Sequence, residues 1–133
     1  MYYESSNIIP ANTAAVNAVR VSITLMPGVI KRVEIQYPTG CAGLAHTRIY
    51  RKNVQLWPSN PGGDFAGDGY IIGFNEVYLL DSEPYVFVLE MWNLDDTYQH
   101  EIRVRFMLEG FTEYWNETMN PLVFAVAPNG GGI

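Results

Sequence analysis

Asp95, Asp96 and His100 fall within the short segment "NLDDTYQH", which begins at Asn93. Two carboxylates and an imidazole could pass a proton between positioned groups, the basis of general acid–base chemistry. The same carboxylates, with the Asn93 amide, could instead offer hard oxygen ligands to calcium. Neither chemistry finds its remaining partners in the sequence, and the spacing does not match an EF-hand loop. The segment joins two alternating apolar runs, and Asn and Asp favour such joints because their side chains bond nearby backbone amides. A hairpin turn over residues 93–99 is the reading adopted.

The other reactive residue types are scattered. His46 lies 54 positions before His100, and no H-x-H or H-E-x-x-H pattern is present. A metal centre wants three or four clustered ligands, so both histidines are expected to be ordinary hydrogen-bonding residues. Cys41, in "YPTGCAGL", is the single cysteine, which excludes an intrachain disulfide. Set among small residues with no histidine beside it in sequence, it reads as a buried thiol rather than a nucleophile. Asp64 and Asp68 lie in the loop "QLWPSNPGGDFAGDG", where calcium binding and plain solvation both stay open. The glycines of that loop match neither phosphate-binding fingerprint. Trp57 and Trp92 could stack on sugar rings or pack in a core or an interface. No catalytic residue, metal or cofactor is expected.

The elements that must position these residues are strands. In "VRVSITL", Val21 and Ile23 share a face opposite Arg20 and Ser22. "KRVEIQY" sets Val33 and Ile35 against Glu34, and "EIRVRFMLE" sets Ile102, Val104 and Phe106 against Arg103 and Arg105. A period of two marks strands with one buried face. Turn signals such as "MPG", "YPTG", "DSEP" and "NPL" punctuate the chain. Eight strands are expected, over 17–26, 30–37, 44–52, 54–57, 70–75, 77–80, 85–92 and 100–109, with "LVFAVA" a possible ninth. Many short, regularly punctuated strands predict an all-β, jelly-roll-like antiparallel sandwich. "NTAAVNAV" alone has helix-forming composition, and it is short.

Composition supports one folded domain. The 133 residues are 48% hydrophobic and 17% charged, with three Trp, nine Tyr and six Phe. A chain of this length can bury a proper core without a disulfide or metal staple. The formal charge is −6, from 14 acidic and eight basic groups, which disfavours direct nucleic-acid binding. No run approaches the ~18 apolar residues of a membrane span. "MYYESSNIIPAN" lacks the basic start and apolar centre of a secretory leader, so synthesis in a cytoplasm is expected.

The ends differ from the middle. Residues 1–16 are expected to form an N-terminal arm, residues 17–109 the sandwich, and residues 110–133 an extension. Disordered tails rarely spend residues such as Tyr2, Tyr3, Ile8, Ile9, Phe111 and Trp115. These segments either fold back on the chain's own domain or reach a neighbour, and these six residues are the expected subunit or capsid contacts.

The layout, and particularly "VEIQYPTGCAGL", "QLWPSNPGGDFAGDG" and "EMWNLDDTYQHEIRVRF", resembles the small jelly-roll decoration (cement) proteins of tailed bacteriophages over residues 17–109. The resemblance implies a non-enzymatic virion protein, commonly a homotrimer. It would sit on the capsid exterior and brace neighbouring copies of the major capsid protein. No contact residue can be carried over from that family. The alternative is a carbohydrate-binding β-sandwich module, which would display exposed Trp or Tyr rings. An enzyme on a jelly-roll scaffold would require a ligand cluster or a paired-carboxylate cleft.

Overall fold

In the computed structural model, which describes residues 1–119, alternating strands build two antiparallel sheets packed face to face. The strands are β1 (Tyr2–Ile9), β2 (Val19–Thr24), β3 (Gly28–Gln36), β4 (Ala45–Arg51), β5 (Val54–Trp57), β6 (Phe65–Ala66), β7 (Ile71–Leu80), β8 (Val86–Asn93) and β9 (His100–Glu109). One sheet runs β1-β9-β3-β7 and the other β2-β8-β4-β5, with the two-residue β6 also paired to β4. With β6 set aside, the pairs nest: β1 with β9, β2 with β8, β3 with β7, and β4 with β5. A long antiparallel ribbon rolled up on itself produces this order, the jelly roll.

The core lies between the sheets. Val33, Ile35, Ile102, Val104 and Phe106 are fully buried, as their alternation predicts, and Val21 and Ile23 pack partly buried against them. Phe87 of β8 stacks on Phe106 of β9 across the sandwich, with centroids 5.0 Å apart. Trp57, at the end of β5, meets Phe74, Tyr78, Phe87 and Phe106. Aromatic edges and tilted faces supply much of the contact between layers.

Several expectations change. The segment after Asn93 is not a hairpin, because β8 and β9 belong to different sheets; the chain crosses the sandwich there. Residues 70–75 and 77–80 form one strand, β7, whose register to β3 shifts at a bulge between Ile30 and Arg32. Residues 2–9 of the expected N-terminal arm form strand β1, paired with β9 over its whole length. "NTAAVNAV" contributes only a 3₁₀ turn, Ala15–Asn17. After β9 the chain makes a helical turn, Phe111–Tyr114, continued by a π turn, Trp115–Met119. The possible strand "LVFAVA" lies outside the described residues. Among the described residues no helix is long and apolar enough to cross a membrane.

Candidate functional site, an apolar surface beside a polar belt

The residues that could do chemistry are tied into the fold. Asp95 Oδ1 accepts from the Thr97 and Tyr98 amides at 2.9 and 3.2 Å, and Asp95 Oδ2 lies 2.8 Å from His100 Nε2. The Asn93 carboxamide oxygen accepts from the Asp95 amide, while its nitrogen donates to Ile9 O and Tyr98 O. The Thr97 amide, then the His100 ring and the Tyr98 amide, hold the Asp95 carboxyl below the usual carboxylate range. The group acts as the clamp of a tight sheet-to-sheet crossing. Asp96 accepts from the Thr97 hydroxyl, and Asp68 from the Gly40 amide.

On the outer face of the β2-β8-β4-β5 sheet, His46 stacks on Trp92 with rings 5.2 Å apart and 7° from parallel. Its Nδ1 lies 2.6 Å from Asp64 Oδ1. Arg48 lies over the Trp92 ring, 4.7 Å from its centroid, and donates to Gly62 O, Gly63 O and Glu90. Glu90 also pairs with Arg20 across the sheet. This cluster fastens the 58–64 loop onto β4. Its charged groups are partnered with one another or with the loop backbone. Among the described residues no three His, Cys, Asp or Glu side chains converge as metal ligands would. Cys41 is buried, and that burial, with the Asp68 carboxylate next, pushes its thiol up to about 11.

The outer face of the β1-β9-β3-β7 sheet has two zones. A polar belt crosses its middle: Arg105 pairs with Glu4 at 3.4 Å and Glu34 at 3.7 Å, and Arg32 pairs with Glu34 at 2.9 Å and bonds Asn75 at 3.0 Å. Beyond it, towards the end where β9 leaves the sheet, the exposed side chains turn apolar. Tyr2 sits opposite Met107, and Val77 and Met107 line one shallow depression with Lys31. Leu79 lies opposite Val29, and Phe111 and Trp115 follow β9 in the helical turn that packs against β3. Tyr2, Val77 and Trp115 are each more than half exposed. Exposed large apolar side chains beside charged groups are a common feature of contact surfaces on soluble domains.

Of the six expected contact residues, Tyr2, Phe111 and Trp115 are exposed in the described structure. Ile8 is exposed but lies at the opposite end of β1. Tyr3 packs against the core, and Ile9 is fully buried in it. Ile9 is therefore corrected from an intermolecular contact to a core residue. The strand period explains this, because neighbours on β1 face opposite sides. Val77 and Leu79, not among the six, are also exposed; their signal is the run "VYLL", apolar on both faces where a half-buried strand should alternate.

Trp57 and Trp92 are each 4% exposed, so neither ring forms an open platform. No protein-family model matches the chain, and no curated protein matches it in sequence.

Proposed function

We propose that the chain is a non-enzymatic structural protein of a virion. In this reading it is made in the host cytoplasm and binds the outer surface of an icosahedral capsid. As a homotrimer it bridges neighbouring copies of the major capsid protein. The observation that carries the reading is the exposure of Tyr2, Val77, Leu79, Phe111 and Trp115 on a sheet that also bears a charged belt. Each large side chain fully buried there would contribute roughly 1.5–3 kcal/mol, so several together can outweigh the cost of association. Threefold symmetry would multiply a weak single contact through effective concentration. The jelly roll is compatible but does not decide, because capsid proteins, lectins and cupins share it.

The carbohydrate-binding alternative loses support, since its two expected tryptophans are buried. The test is addition of the purified chain to capsids assembled without it, using the virus whose major capsid gene neighbours this one. Saturable binding and greater heat resistance of the shell are expected, both reduced in a folded Trp115→Ala variant. Absence of binding would remove the proposal.

A further inference from the structure

We propose that the cleft between Thr39 and Tyr70, at the end of the β1-β9-β3-β7 sheet where β3 finishes and β7 begins, binds one neutral sugar unit of a glycan.

Two turns build this cleft and hold it open. The turn after β3 and the turn before β7 are laced together by three main-chain donors. The Tyr37 amide donates to Tyr70 O at 3.2 Å, the Gly69 amide to Pro38 O at 3.2 Å, and the Gly40 amide to Asp68 Oδ1 at 2.8 Å. Gly69, with φ +72°, makes a bend that a side chain would strain. The cleft they frame measures about 430 Å³ and is lined by Gln36, Thr39, Tyr70 and Ile71. A second depression, of about 250 Å³, shares Gln36 with it and reaches Glu101 and Arg103 of β9. Concave surfaces of this size with a few convergent polar groups are the usual setting of small-ligand sites.

Tyr70 is 53% exposed, yet it is held in place. Its hydroxyl donates to Ala66 O at 3.5 Å, and its ring lies against buried Gly67, where a Cβ would come within 3.1 Å of Tyr70 Cζ. An exposed ring already fixed offers a flat apolar surface to the C–H face of a sugar at little entropic cost.

Partners for sugar hydroxyls stand beside it. The Gln36 carboxamide uses its oxygen on Arg105, and Arg103 uses Nε on Glu101 Oε1. Among the described residues the Gln36 nitrogen, the Thr39 hydroxyl, the Arg103 terminal nitrogens and Glu101 Oε2 make no hydrogen bond. Donors and acceptors are thus both present, as vicinal hydroxyl groups require. The charged groups that line the two depressions, Glu101 and Arg103, neutralise each other, which favours an uncharged ligand over a phosphate or a carboxylate.

The cleft lies away from the residues assigned to capsid or subunit contact. Gln36 and Gly28 stand at opposite ends of β3, roughly 26 Å apart, and Gly28 pairs with Leu80 beside exposed Leu79. The ring used here is Tyr70, not the buried tryptophans.

Titration of the isotope-labelled full chain with the methyl glycosides of glucose, galactose, mannose and N-acetylglucosamine tests this. At least one should saturably shift amides in 36–39, 67–71 and 101–103, with a dissociation constant on the order of 1 mM for so open a cleft. Tyr70→Ala should weaken that binding at least about tenfold, while Tyr70→Phe, which keeps the ring, should stay within about threefold. If Tyr70→Ala does not fold, a folded Arg103→Gln should weaken binding at least about threefold. No saturable shift with any of the four sugars, shifts centred elsewhere, or binding unchanged in a folded Tyr70→Ala would overturn the inference. So would glucuronate binding more tightly than methyl glucoside, because the cleft would then select an anion. Capsid attachment is read separately and can fail without changing this result.

Discussion

The Trp57 indole nitrogen donates to Glu76 Oε2 at 2.9 Å, tying β5 of one sheet to β7 of the other along the open side of the sandwich. Glu76 lies partly buried between Phe74 and Tyr78, and its other carboxylate oxygen accepts from the Val77 amide at 3.0 Å.

Removing the donor should therefore hurt more than neutralising the acceptor. Trp57→Phe is expected to cost about 2–4 kcal/mol, combining lost packing volume with the loss of one donor to the Glu76 carboxylate. Glu76→Gln keeps an acceptor for the indole and should cost under about 1.5 kcal/mol. Urea unfolding of both variants checks the order.

Asp95 gives a pH prediction with a definite sign. Its folded pKa lies below the unfolded value of 3.8, so its stabilisation is fully present above that value. It is lost as pH falls through the lower, folded pKa. Melting temperatures measured downward from neutral pH should fall in acid. Asp95→Asn should lower stability at neutral pH and flatten the acid limb of the curve.

How far the sequence revealed this architecture depended on what each inward position carries. β3 and β9 place Val, Ile and Phe inward, so periodicity exposes both strands directly. β1 hides because its inward positions include Ser5 and Asn7; the Asn7 amide is satisfied by Ile102 O at 3.3 Å, a bond that depends on the tertiary register. β7 reads as two strands because the bulge opposite β3 puts "NE" inside an otherwise apolar run. The sheet crossing at Asp95 reads as a hairpin because a turn's composition does not tell which sheet receives the next strand. The apolar surface is assembled from β1, β7, β9 and the helical turn, so sequence distance concealed it.

Cys41 should be silent in the native state. With its thiol raised to about 11 by burial first and Asp68 second, almost no thiolate exists at neutral pH. A chromogenic thiol reagent at neutral pH should react only at the rate of unfolding, and stoichiometrically in denaturant. Rapid reaction without denaturant would contradict the assignment.

The β4–β5 hairpin closes through Lys52 and Asn53, both with positive φ, at 54° and 63°. Two such residues make the turn type that prefers Asn-Gly, and a lysine there is strained. Replacing the pair by Asn-Gly should stabilise the fold by about 1 kcal/mol, seen as a higher urea midpoint with an unchanged slope.

Sedimentation equilibrium of the full chain across a wide concentration range most directly tests whether the apolar surface is an interface. The account predicts a three-chain species at high concentration that dissociates on dilution. Trp115→Ala and Val77→Asp should each shift it towards the monomer, with the circular dichroism spectrum of the β-sandwich retained. A strictly monomeric wild-type chain at every concentration, or a trimer indifferent to both substitutions, would contradict it.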